Sequence, residues 1–207
     1  MASLSGAQQA LASQGRYSGA IDGIMGPATM AGLLMCGAGT LTPTKVIAAI
    51  APALVAVMPL AELSTPLRIC HFLAQATEET AGWTTLVEDA GPTYCARYDD
   101  RADLGNSEPG DGYAYRGRGP LQLTGRGGYT KIGGQIGVDL VGHPDLLLTD
   151  MTLSARSAAQ YWINAGANQW ADVDNIARVT RLINGGLNGL PARTDDLRRL
   201  KGLWGLS

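Results

Sequence analysis

The stretch STPLRICHFLAQATEETAGW, residues 64–83, decides how the chain is read. Thr65 followed by Pro66 is a helix start: a threonine hydroxyl accepts from an orphan N–H, and proline fits the first helical position. At 100° per residue, with Phe72 as origin, Ile69 falls at about 60°, Ala76 at about 40° and Leu73 at about 100°. One face is therefore apolar. Glu79 lies at about −20°, on the edge of that stripe, whereas Glu78 at about 240° goes with the polar side beside His71. Gly82 ends the helix. Glu79 is thus placed to be desolvated, which raises a carboxyl pKa and suits a general acid; Glu78 reads as a surface residue. The plain alternative for Glu79 is an acid at a helix end that frays into water.

Further helical patterns lie on both sides of this segment. Leu4 and Leu11 mark a first helix ended by Gly15. Asp22-Gly23 is a turn signal, and Gly26-Pro27 opens a second helix carrying Met30, Leu33 and Leu34. GAGTLTP (37–43) reads as a linker, with Thr42 as the expected cap of the next helix. VIAAIAPALVAVMPLA (46–61) is uncharged but shorter than a membrane span, and Pro52 and Pro59 predict buried helices broken at proline. Residues 91–131, rich in glycine, aspartate and arginine, read as loop around short strands at most. Helical pattern returns over 152–170, over about 173–183 and, after INGGLNGLP (183–191), in a last basic helix. The fold class is mainly α.

Composition narrows the function. With 207 residues, 45% apolar and 16% charged, the chain has room for one full domain and a small module. A net charge of −2 argues against nucleic acid as the main partner. Charge is uneven: residues 62–111 hold ten acids and three arginines, and residues 176–207 hold six basic residues and two acids. Solvated faces of opposite sign, or an acidic site beside a basic wall, both fit. Cys36, Cys70 and Cys95, odd in number and widely spaced, predict reduced thiols. With only His71 and His143 and no ligand spacing, neither metal nor cofactor is expected. MASLSGAQQALASQG lacks a basic start before an apolar run, so no signal peptide is expected.

Glycosidic bonds are commonly cut by two carboxyl groups, one protonating the leaving oxygen and the other activating water or attacking the sugar. Glu79 is one candidate. Glu88, in LVED (86–89), is another, nine residues on; spacing alone does not set their separation.

HFLAQATEETAGW (71–83) followed by LVED resembles the active-site helix of glycoside hydrolase family 19, which holds chitinases and phage or bacterial peptidoglycan hydrolases. RADLGNSEPGDGYAYRGRGPLQLTGRGGY (101–129), SARSAAQYWINAGAN (154–168) and VTRLINGGLNGLPAR (179–193) resemble its later blocks, in the same order. The resemblance implies a lysozyme-like α-helical catalytic domain over residues 39–207 with long loops. It implies Glu79 as general acid, Glu88 as general base and inversion of configuration, with the carboxyls roughly 6.5–9.5 Å apart. By position, Gln122 and Thr124 would hold the sugar and the attacking water, Tyr129 would line the cleft, Asn184 would contact substrate and Arg193 would pair with the acidic site. Asp99 is a second candidate for the base. Two positions depart from the family: Glu78 stands where histidine is usual, and Gly128 where asparagine is usual.

QQALASQGRYSGAIDGIMGPATMAGLL (8–34) is similar to peptidoglycan-binding modules of cell-wall hydrolases, implying a small three-helix wall-binding unit over residues 1–38; a simple helical cap is the alternative. Together the resemblances imply a monomeric phage-type endolysin, made in a host cytoplasm, that cuts peptidoglycan glycan strands as an N-acetylmuramidase. A chitinase, a lytic transglycosylase and a wall-binding protein without catalysis are the alternatives.

Overall fold

A computed structural model describes residues 3–207. Among them are twelve α-helices: α1 (Leu4–Ser13), α2 (Pro27–Ala38), α3 (Lys45–Val57), α4 (Pro66–Glu79), α5 (Pro92–Cys95), α6 (Asp111–Ala114), α7 (Arg126–Ile136), α8 (Leu146–Thr149), α9 (Met151–Asn164), α10 (Asn168–Ala171), α11 (Ile176–Asn184) and α12 (Leu190–Leu203). Strand structure among these residues amounts to two isolated antiparallel bridges, Val87 with Arg118 and Arg118 with Leu123. The mainly α reading holds.

α4 is the central helix. The Thr65 hydroxyl accepts from the Arg68 N–H at 3.3 Å, and Pro66 takes the first turn, as the sequence predicts. Its stripe of Ile69, Phe72, Leu73 and Ala76 is buried, and Phe72 meets Trp162 of α9 edge to face, with ring centroids 5.3 Å apart. α12, α2, α10 and α11 pack around α4, so every side of its middle is covered.

Three local expectations change. α3 is capped by Thr44, not Thr42: its hydroxyl accepts from the Ile47 N–H at 3.1 Å. α3 also runs unbroken through Pro52, because that ring sits on the exposed face while Ile50, Ala51, Ala53 and Leu54 hold the buried side. The stretch read as loop, residues 91–131, contains the short α5 and α6 and the first half of α7. Four glycines oppose that helix, but Tyr129, Ile132 and Ile136 recur at helical spacing and fill a second apolar cluster with Tyr115, Leu123, Leu140 and Leu147.

Residues 3–38 hold two helices rather than three. Ala7, Leu11, Leu33 and Leu34 belong to the same apolar cluster as Phe72 and Trp162, and Arg199 of α12 donates to the carbonyls of Cys36 and Gly37 at 3.3 and 2.6 Å. Cys36, Cys70 and Cys95 are free and buried. No helix among the described residues is long and apolar enough to cross a membrane.

Candidate active site

Glu79 ends α4, one turn after Gln75, so both side chains leave the helix on one side. Arg193, in the first turn of α12, reaches both. Its Nη2 donates to Glu79 Oε1 at 2.6 Å, its Nη1 to Gln75 Oε1 at 2.8 Å, and its Nε to the Asn188 carbonyl at 3.2 Å. Gln75 in turn donates to Thr180 of α11 at 3.2 Å. Arg193 is 2% exposed and the Glu79 side chain 15%, so this ion pair is screened far less than a surface pair. Three helices thus aim one carboxylate. The expected pairing of Arg193 with the acidic site is the geometry found.

Past Glu79 the chain reverses through Ala81, Gly82 and Trp83, all at positive φ. Two of these are not glycine, a costly backbone. The buried Trp83 indole holds the turn, donating from Nε1 to Thr77 Oγ1 at 3.0 Å while its backbone N–H donates to Thr80 Oγ1 at 3.0 Å. The returning segment carries Glu88 alongside Gly117. The Glu88 N–H donates to the Gly117 carbonyl at 2.9 Å, and the Gly117 N–H donates to Glu88 Oε2 at 3.2 Å. A Cβ at 117 would stand 2.5 Å from Gln122 Oε1, so a side chain there would displace the Gln122 amide.

Glu79 and Glu88 line one cleft of about 810 Å³. Its helical wall has Glu78, Tyr161, Asn184, Asn188 and Arg193; its loop wall has Tyr98, Arg101, Gly117, Gln122 and Thr124. Gln122, at φ +49°, donates from Nε2 to the Gly119 carbonyl at 3.0 Å, and Thr124 Oγ1 donates to the Gln122 carbonyl at 2.8 Å. That leaves the threonine lone pairs free to accept. Asn184 Oδ1 is covered and has no hydrogen-bond partner among the described residues. The Tyr161 hydroxyl donates to the Ile183 carbonyl at 3.1 Å; burial first, and the Glu79 charge second, hold this phenol protonated.

The loop wall hangs on Asp111. This buried carboxylate accepts from the N–H groups of Ser107 and Glu108 at 3.0 and 3.2 Å and from Arg126 Nε at 2.9 Å. The Arg126 guanidinium and these N–H groups outweigh burial and hold its pKa down to about 2. Asn106 ties the same loop to Tyr98 and Arg126, donating to the Tyr98 carbonyl and accepting from the Arg126 N–H, both at 2.8 Å.

Three expectations are corrected here. Tyr129, expected on the cleft, is 0% exposed and lies in the second apolar cluster. It acts behind the wall: its hydroxyl donates to the Arg116 carbonyl at 2.9 Å and accepts from Arg118 at 3.0 Å, and burial pushes its pKa up to about 12. Asp99, the second candidate for the base, is outside the cleft and accepts from the Gly112 N–H at 2.9 Å. Glu78, read as a surface residue, is half-buried and lines the cleft. Tyr98, Arg101, Tyr161 and Asn188 were not singled out by sequence reasoning. Tyr161 reads as core within its helix, and the other three sit in loops without period.

Residues 46–189 match the family model described as Chitinase class I. Endochitinase 1 of Theobroma cacao is 34% identical over 158 residues, covering 62% of this chain and 49% of that protein. A glycosyl hydrolase family 19 domain-containing protein of Haemophilus influenzae is 36% identical over 103 residues, covering 50% of this chain and 49% of that protein. The chain spans about half the length of these curated relatives. Chitinase C from Streptomyces griseus superposes with a TM-score of 0.64 at 22% identity, over 77% of this chain and 84% of its own; that likeness speaks for the fold. With the family model covering most of its length, the chain belongs to glycoside hydrolase family 19.

Proposed function

We propose that this chain hydrolyses polymers of β-1,4-linked N-acetylglucosamine by a single displacement with inversion. The observation that carries this reading is the pair Glu79 and Glu88 in one cleft, each with a different partner: a buried guanidinium for Glu79, a backbone N–H for Glu88. Family membership and the endochitinase relatives support the substrate class. In this reading Glu79 enters the cycle protonated, its Oε1 still accepting from Arg193, and gives its proton to the glycosidic oxygen as the bond to the anomeric carbon breaks. Water attacks that carbon from the opposite face, and Glu88 takes the proton the water loses. Thr124 accepts from the water and so aims it. Gln122 and Asn184 hold sugar hydroxyl or acetamide groups. After product release the proton passes from Glu88 back to Glu79 through solvent.

A second reading keeps the chemistry and changes the polymer to the glycan strand of peptidoglycan, with lysis of a host cell as the role. What favours it is the loop over residues 17–26. Gln8, 0% exposed, holds that loop by donating to Asp22 at 2.9 Å and accepting from the Gly23 N–H at 2.8 Å. Ile21 and Ile24 stand 42% and 65% exposed on it, an apolar face available to a wall polymer. Tethering there would raise the local concentration of the cleft at the wall.

The test is digestion of chitin hexamer and of purified peptidoglycan by the wild type and Glu79→Gln, with released ends identified by mass spectrometry. Cleavage of the hexamer by the wild type alone supports the first reading. New muramic acid reducing ends with an intact hexamer support the second. No cleavage of either substrate overturns both.

A further inference from the structure

Glu78 precedes the acid Glu79 and lines the same cleft, yet its charge is unmatched. The guanidinium groups of α12 and of the loop wall are committed elsewhere. Arg193 is bound to Glu79, Gln75 and the Asn188 carbonyl. Arg199 is bound to Asp196 and to the carbonyls of Cys36 and Gly37. Arg101, on the loop wall, is paired with Asp103 at 2.6 Å. Among the described residues Glu78 therefore takes part in no ion pair and its carboxylate accepts no hydrogen bond. Its neighbour Asp196 supplies no cation: that carboxyl is buried and paired with Arg199, and burial, opposed by the Arg199 charge and helped by the Glu78 charge, pushes its pKa up to about 6.

The Glu78 side chain lies against the start of α12. Gly189, at φ +71°, caps α12, and a Cβ there would overlap Glu78 Oε1. The carboxylate is thus pressed against the turn between α11 and α12, on the wall that also carries Asn184 and Asn188. A carboxylate that lines the cleft without a partner is free to accept from a cation that enters it. A neutral N-acetylglucosamine polymer supplies no cation. The one unit of such a polymer that does is glucosamine, whose unacetylated 2-amine is an ammonium in mild acid.

We propose that Glu78 gives this cleft a subsite for a glucosamine unit, its ammonium donating to the Glu78 carboxylate, so that the chain acts preferentially on partially deacetylated glycans. This rests on the glycan-hydrolase reading above. Deacetylated chitin and N-deacetylated peptidoglycan share the required chemistry.

The test compares kcat/KM on soluble, half-deacetylated chitin and on fully acetylated chitin oligomers, in mild acid, for the wild type and the isosteric Glu78→Gln. The same pair of enzymes digests N-deacetylated and ordinary peptidoglycan. Loss of a charge-assisted contact is expected to lower the deacetylated-to-acetylated ratio about tenfold. Mass spectrometry of the products should show glucosamine enriched at one fixed position from the cut in the wild type, and that enrichment lost in Glu78→Gln. A merely structural role would lower both rates together and leave the ratio and product pattern as they were, and that result overturns the glucosamine subsite while the hydrolase reading stands. Failure of the wild type to cut any of the substrates overturns both. A shifted ratio confined to the chitin pair names chitin as the source polymer; one confined to the peptidoglycan pair names the wall.

Discussion

Replacing Arg193 by methionine tests whether Glu79 is aimed by α12. The substitution keeps the aliphatic stem and removes the guanidinium. Four acceptors then lose a donor: Glu79 Oε1, Gln75 Oε1, and the carbonyls of Gln75 and Asn188. Gln75 is 0% exposed, and its stranded side-chain oxygen costs about 1–3 kcal/mol, while its carbonyl keeps the helical bond within α4. Removing one member of a buried ion pair costs about 3–5 kcal/mol in all; the Glu79 side chain retains 15% exposure, so the lower figure applies. A chain of this size loses roughly 2–4 °C in Tm per kcal/mol, giving a fall of roughly 6–12 °C. Freed from its guanidinium, Glu79 no longer meets the glycosidic oxygen in one geometry, and a misplacement of about 1 Å costs about 100-fold in kcat. The assay pairs a thermal melt with turnover of chitin hexamer. Adding Glu79→Gln removes the stranded charge and should restore about 1–2 kcal/mol of stability but no activity. If Arg193→Met melts within about 1 °C of the wild type and turns over within about twofold, the reasoning fails, because neither the acceptors nor the acid then depended on this residue.

Glu79→Gln and Glu88→Gln should each lower kcat by about 10²–10⁴ with binding of the oligomer retained, read by turnover and calorimetry; loss in only one variant would break the two-carboxylate mechanism. Asp196 is raised from 3.8 to about 6, so its contribution to stability is full below its unfolded pKa and is lost as pH rises through about 6. Asp111 is lowered from 3.8 to about 2, so its contribution is present above 3.8 and is lost as pH falls through about 2. Thermal melts across this range should show Asp196→Asn flattening the upper slope and Asp111→Asn the lower one; unchanged slopes would refute the assignments. Gly112→Ala puts a Cβ onto the Cys95 carbonyl, a backbone atom that cannot swing aside. It should cost about 1–3 kcal/mol and loosen the Asp99 contact at the base of the loop wall, seen as a lower Tm and faster amide exchange over residues 95–112.

The sequence by itself determined what rests on neighbours within a few residues. Thr65 and Pro66 begin α4 because a cap and a fixed φ act on the next turn. Ile69, Phe72, Leu73 and Ala76 share a buried face because 3.6 residues make a turn, and the same arithmetic puts Glu79 at the edge of that face. Caps and propensities also mislead when packing outweighs them. α7 forms despite its glycines because Tyr129, Ile132 and Ile136 are needed in a core, and α3 passes Pro52 because that ring faces outward. Only the tertiary structure decided which distant groups meet. Arg193 and Glu79 are 114 residues apart, and nothing local to either places them 2.6 Å from each other. The crossing of α12 over α4 does so, and it likewise turns Glu78 from an expected surface acid into a wall of the cleft. Tyr129 is the converse: its position in a motif pointed to the cleft, but the second apolar cluster offers an aromatic ring more contact than the open wall does, and the ring lies behind the site.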